Sequence, residues 1–70
     1  SGAAMILPRL QFITSDSAPA PLVEQAHQVL SLGVKWIQIR SKELGDDELA
    51  AAVREIIRIS RPYSAIVTVN

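Results

Sequence analysis

Short stretches rich in β-branched and apolar residues alternate with longer ones whose apolar positions recur every three or four residues, a pattern that predicts β-α-β-α-β. Arg9-Leu10-Gln11-Phe12-Ile13-Thr14 reads as a first strand, stopped by Ser15-Asp16-Ser17 and the proline-spaced Pro19-Ala20-Pro21. From Leu22 the apolar residues fall at 22, 23, 26, 29 and 30, one stripe of a helix, and Gly33 stands where a left-handed cap would end it. In this helix His27 reads as a surface residue between exposed Gln25 and Gln28. Val34 to Arg40 is short and carries Val, Trp and Ile, which favours a second strand. After the turn at Gly45, Asp46 is expected to cap a second helix, with Asp47 and Glu48 favourable in its first turn. Its buried stripe is expected at Leu49, Val53, Ile56 and Ile57, and Pro62 ends it. Ser64 to Val69 reads as a third strand.

Strands separated by helices must run parallel, joined by crossovers that are right-handed in about 98% of cases. If strands are added in one direction, both helices lie on one face and only closure into a barrel buries the other. If the third strand pairs with the first, the helices lie on opposite faces, as in doubly wound folds. Trp36, Gln38 and Arg40 share one face of the second strand, and Ile66, Thr68 and Asn70 share one face of the third. Both rows grow more polar toward the C-terminal end, as in barrel strands whose tops line an active site. The expected fold class is α/β, an incomplete (β/α)8 TIM barrel. Trp36 is expected to fill the barrel's bottom.

Length and composition narrow the possibilities further. Seventy residues make one small domain without cysteine, so disulfides and thiolate metal sites are excluded. Seven basic and seven acidic residues cancel, which gives no footprint for nucleic acid, and no apolar stretch is long enough to span a membrane. A cytoplasmic location is expected. Ser1-Gly2-Ala3-Ala4 reads as an expression-tag remnant before a natural start at Met5, leaving residues 5 to 70 as the N-terminal part of the barrel domain.

The candidate chemistry lies at Gln38-Ile39-Arg40-Ser41-Lys42, where a polar, doubly cationic cluster ends an apolar run. Gln38 and Arg40 share a face and Lys42 follows in phase past the strand, so their side chains are expected to converge on one ligand. Asp16 reads as a turn former, and Asp46, Asp47 and Glu48 as a helix start, not a metal cluster.

Ile13-Thr14-Ser15-Asp16, Gly33-Val34 followed by Gln38-Ile39-Arg40-Ser41-Lys42, and Val67-Thr68-Val69-Asn70 together resemble the thiamine-phosphate synthase family over residues 7 to 70. The resemblance implies a transferase of thiamine biosynthesis. It joins hydroxymethylpyrimidine diphosphate to thiazole phosphate and releases pyrophosphate with magnesium (Mg2+) bound. It implies substrate-binding roles for Gln38, Arg40, Lys42 and Asn70, with the metal carboxylates expected beyond Asn70. The residue between Arg40 and Lys42, often acidic in the family, is Ser41 here. The 70-residue chain is therefore expected to hold part of a site, to be inactive alone, and to associate into homo-oligomers through strand edges and an uncovered apolar face. Two other readings remain: a thiazole tautomerase-like paralogue, favoured if Gly and not Asp followed Asn70, and a non-catalytic self-associating fragment.

Overall fold

The computed structural model describes residues 10–70. The expected tag remnant, the start at Met5 and Arg9 at the head of the first strand lie outside the described residues. Three strands, β1 (Gln11–Ile13), β2 (Trp36–Ile39) and β3 (Ile66–Val69), alternate with two helices, α1 (Leu22–Ser31) and α2 (Asp46–Ser60). The sheet is parallel throughout, in the order β1-β2-β3. Because β3 pairs with β2 and not with β1, the doubly wound arrangement is excluded for this segment.

Each helix ends where its sequence removes the next favourable step. Past α1, Gly33 adopts φ 96°, a left-handed conformation that costs glycine no Cβ clash. The Val34 amide then donates to the Val29 carbonyl (3.1 Å) and the Gly33 amide to the Leu30 carbonyl (3.0 Å), the two bonds of a Schellman cap. At the start of α2 the cap is Gly45, whose amide donates to the Glu48 carboxylate at 3.2 Å. This corrects the expectation for Asp46, which is already the first helical residue. Its charge, like those of Asp47 and Glu48, favours the exposed amides of the first turn through the helix dipole. Pro62 stands in a short 3₁₀ turn (Arg61–Tyr63) that follows α2, and left-handed Ser64 leads out of it.

Both helices pack on one face of the sheet. Leu22, Ala26 and Leu30 of α1, Ile37 and Ile39 of β2, and Ile56 and Ile59 of α2 form a single buried core. The α2 stripe departs from expectation at one position: Ile57 is 38% exposed, while Ile59 and Ser60 are buried. At about 100° per residue, 49, 53, 56 and 60 stay on one line and 57 rotates off it. Gln25 is a second departure, being only 4% exposed where an exposed residue was expected, whereas His27 is exposed as expected. Gln25 lies three residues after Leu22 and four before Val29, inside the apolar stripe, and its burial is compensated by hydrogen bonds to the β1–α1 loop.

The opposite face of the sheet carries Gln11, Ile13, Trp36, Gln38, Ile66 and Thr68. Register aligns Gln11, Trp36 and Ile66 in one row and Ile13, Gln38 and Thr68 in the next. Trp36 is half-buried there, its indole N–H directed to the Thr68 hydroxyl at 3.4 Å. Ile13 and Ile66 are 45% and 54% exposed, so this face has no layer over it among the described residues.

Candidate functional site

Parallel strands deliver their C-terminal ends, and the loops that follow, to one edge of the sheet. At that edge the β1–α1 loop meets the β2–α2 loop, and a cleft of about 460 Å³ opens between them, lined by Ile13, Thr14, Asp16, Arg40, Lys42 and Glu43 with neighbouring serines. Arg40 and Lys42 are thus brought to one cavity. Among the described residues, neither the Arg40 guanidinium nor the Lys42 ammonium has a hydrogen bond or ion pair, and both side chains are exposed. Gln38 and Asn70 do not line this cleft. Gln38 lies one row deeper on the open face, between Ile13 and Thr68. The ladder extends one residue past β3, where the Asn70 amide donates to the Ile39 carbonyl at 3.0 Å, placing Asn70 alongside Arg40 at the sheet's end.

The cation-bearing segment is held by side chains from the first loop. Thr14 is buried, and its hydroxyl both accepts from the Arg40 amide and donates to the Arg40 carbonyl, each at 2.9 Å. Asp16 continues the attachment: one carboxylate oxygen accepts from the Ser41 hydroxyl (2.6 Å), the other from the amides of Lys42 (2.7 Å) and Glu43 (3.2 Å). The Ser41 hydroxyl holds Asp16 below the usual carboxylate range, the Lys42 and Glu43 amides act in the same direction, and desolvation opposes them. The first loop is in turn shaped by Gln25. Its amide nitrogen donates to the carbonyls of Ser15 (2.8 Å) and Ala20 (2.7 Å), and its oxygen accepts from the Ser15 amide (3.0 Å).

Sequence reasoning missed these three supports. Asp16 stands in a turn as expected, closed by the Ala18 amide donating to the Ser15 carbonyl, but its carboxylate also binds a loop 25 to 27 residues away. Thr14 shares the inward face with Phe12, and Gln25 shares the stripe with Leu22. Each placement was available from periodicity, but a polar residue on an apolar line signals a partner without naming it.

Arginine offers a planar fork for paired oxygens and lysine a mobile point charge, so the cleft suits an anion with several oxygens. The residues present do not fit a magnesium site. Among the described residues no group of three or more His, Cys, Asp or Glu side chains could hold a metal, and both Asp16 oxygens are already engaged by the second loop.

A parallel α/β unit that gathers its cations where strands run into loops belongs to the class of proteins that bind ligands at the carboxyl edge of a sheet. Within that class, the sequence model of the family described as thiamine monophosphate synthase matches residues 10–70, and the chain belongs to this family. It is similar to a protein of Aquifex aeolicus named "Putative thiamine-phosphate synthase 2", at 33% identity over 67 residues, 94% of this chain and 36% of that protein. It is also 33% identical over 61 residues to the thiamine-phosphate synthase of Bacteroides fragilis, covering 87% of this chain and 30% of the relative, and the same values hold for a second strain. The chain spans about a third of the length of these curated relatives. No solved structure gives a significant match. Among the described residues no helix is long and apolar enough to cross a membrane.

Proposed function

We propose that the cleft bearing Arg40 and Lys42 is the diphosphate-binding wall of a thiamine-phosphate synthase, and that residues 10–70 are the opening β-α-β-α-β segment of its (β/α)8 barrel. The observation that carries this reading is the presence on one cleft, at the strand ends, of two cations, Arg40 and Lys42, that have no hydrogen bond or ion pair from their charged groups among the described residues. A diphosphate leaving group gains negative charge as its carbon–oxygen bond breaks. Fixed cations at its oxygens therefore favour the transition state over the ground state. Arg40 grips two oxygens and Lys42 follows the charge. Gln38 and Asn70, each offering a donor and an acceptor, reach the same end of the open face and suit the pyrimidine ring or a phosphate oxygen. The thiazole phosphate and the magnesium ion belong to other walls of the longer protein, which works in the cytoplasm, and the 70-residue chain binds without turning over.

Titration of the chain with inorganic pyrophosphate, followed by calorimetry, tests the reading. Binding is expected, with loss of about 10-fold or more for Arg40→Ala, since hydrogen bonds to charged groups contribute about 1.5–3 kcal/mol. Absence of binding, or binding indifferent to Arg40, refutes it. Self-association is proposed on the open face, where Ile13 and Ile66 are exposed. Sedimentation velocity that stays monomeric at all concentrations refutes that part alone.

A further inference from the structure

A carboxylate beside an anion site is an electrostatic liability, yet Asp16 lines the cleft together with Arg40 and Lys42. Repulsion from a negative charge on the same cleft weakens the binding of any anion, unless the carboxylate does something for the cations that outweighs it. Its hydrogen bonds identify what that is. Asp16 accepts from the Ser41 hydroxyl and the Lys42 and Glu43 amides, and so spans the three residues that follow Arg40. Thr14, two residues earlier in the same loop, brackets Arg40 from both its amide and its carbonyl. Every residue from 40 to 43 is therefore tied to the end of β1. Without these ties, the segment after β2 would be joined to the first loop by no other hydrogen bond among the described residues.

We infer that Asp16 is a positioning residue for anion binding, fixing the Arg40–Lys42 segment through Ser41 and the following amides and never touching the ligand itself. This rests on the diphosphate reading of the cleft. Ordering the backbone restricts both cations to the cleft before the ligand arrives, so less freedom is lost on binding. The geometry also explains how the carboxylate's charge is tolerated: both oxygens face donors of the second loop, which disperses the charge away from the cavity.

Positioning and repulsion predict opposite signs, which makes the experiment decisive. Pyrophosphate affinity is measured by calorimetry at fixed ionic strength for the wild type, Asp16→Asn, Ser41→Ala and Glu43→Gln, with exchange of the Lys42 and Glu43 amides followed by NMR. Glu43 lines the same cleft and only its main-chain amide takes part in the ties. If Asp16 positions the cations, Asp16→Asn weakens pyrophosphate binding by about 10-fold, on the scale seen for residues that orient ligating groups. Ser41→Ala weakens it by less, Glu43→Gln tightens it, and the two amides lose protection only in the Asp16 and Ser41 variants. A merely structural role would shift the unfolding midpoint and leave the affinity of the folded protein unchanged. Unchanged or tighter binding by Asp16→Asn overturns the inference while the cleft reading stands. Failure of the wild type to bind pyrophosphate overturns the cleft reading and the inference with it.

Discussion

Replacing Gln25 by leucine keeps the size of the side chain and removes its amide, which isolates what that amide does. Three hydrogen bonds disappear, those to the Ser15 amide and to the carbonyls of Ser15 and Ala20. At about 0.5–1.5 kcal/mol each, their summed net contribution is about 1.5–4.5 kcal/mol. Ser15 and Ala20 are half-buried, so water reaches part of what is left unpaired and the lower half of that range applies, about 2 kcal/mol. A chain of this length has a total stability of roughly 3–10 kcal/mol, so the loss is a substantial fraction of it. With a urea dependence near 1 kcal/mol per molar, the low end for small proteins, the midpoint falls by about 2 M. Urea unfolding followed by circular dichroism measures this, and His27→Ala on the exposed side of the same helix serves as control, expected within about 0.5 kcal/mol of wild type. If Gln25→Leu unfolds where His27→Ala does, the buried amide is not what shapes the first loop, and the account given for it is wrong.

Other substitutions test the remaining supports. Thr14→Val removes both bonds to Arg40 without changing shape and should cost about 1–3 kcal/mol in the same unfolding assay, with no change counting against the bracket. Gly33→Ala meets no atom within 4 Å but must hold φ near 96°, so a loss of about 1–2 kcal/mol is expected from backbone strain alone. Ile37→Ala opens the fully buried centre of the sheet and should cost about 2–5 kcal/mol. The pH dependence has a defined sign. Asp16 titrates below its ordinary 3.8 in the folded chain, so its contribution is complete above that value and is lost as pH falls through the lowered folded value. Protection of the Lys42 and Glu43 amides should vanish over that acid range in the wild type and be insensitive to it in Asp16→Asn.

Much of the fold was legible because it depends on periodicity. The α1 stripe follows from a period of about 3.6, the left-handed Gly33 from a glycine just past it, and the parallel direction from the helical crossovers, while the choice between the two strand orders rests on the polarity of alternate strand positions. Cap identity was less legible: Gly45 and Asp46 are adjacent, both suit a helix start, and the difference is set by where the Glu48 side chain turns back. Ile57 is apolar but lies off the line through 49, 53 and 56, so its exposure follows the helical period over its hydrophobicity. Arg40 and Lys42 are conspicuous as charge at a strand end. Asp16, Thr14 and Gln25 are not, since Thr14 and Gln25 act on backbone atoms and Asp16 on two amides and one serine hydroxyl, groups that carry no signature of their partner in the sequence.

Because α1 and α2 lie on the same side of the sheet, the strands of this chain keep two independent ledgers. Along β2 and the residue that follows it, alternate positions face different surroundings: Ile37 and Ile39 lie in the core, while Gln38, with Arg40 following in phase, lies on the uncovered face to which the proposed function assigns recognition. The parity of a strand position therefore tells which experiment will register its loss. Substitutions at one parity should register in denaturation curves, and those at the other in titrations. A protein arranged this way can change what it recognises with little effect on how firmly it folds.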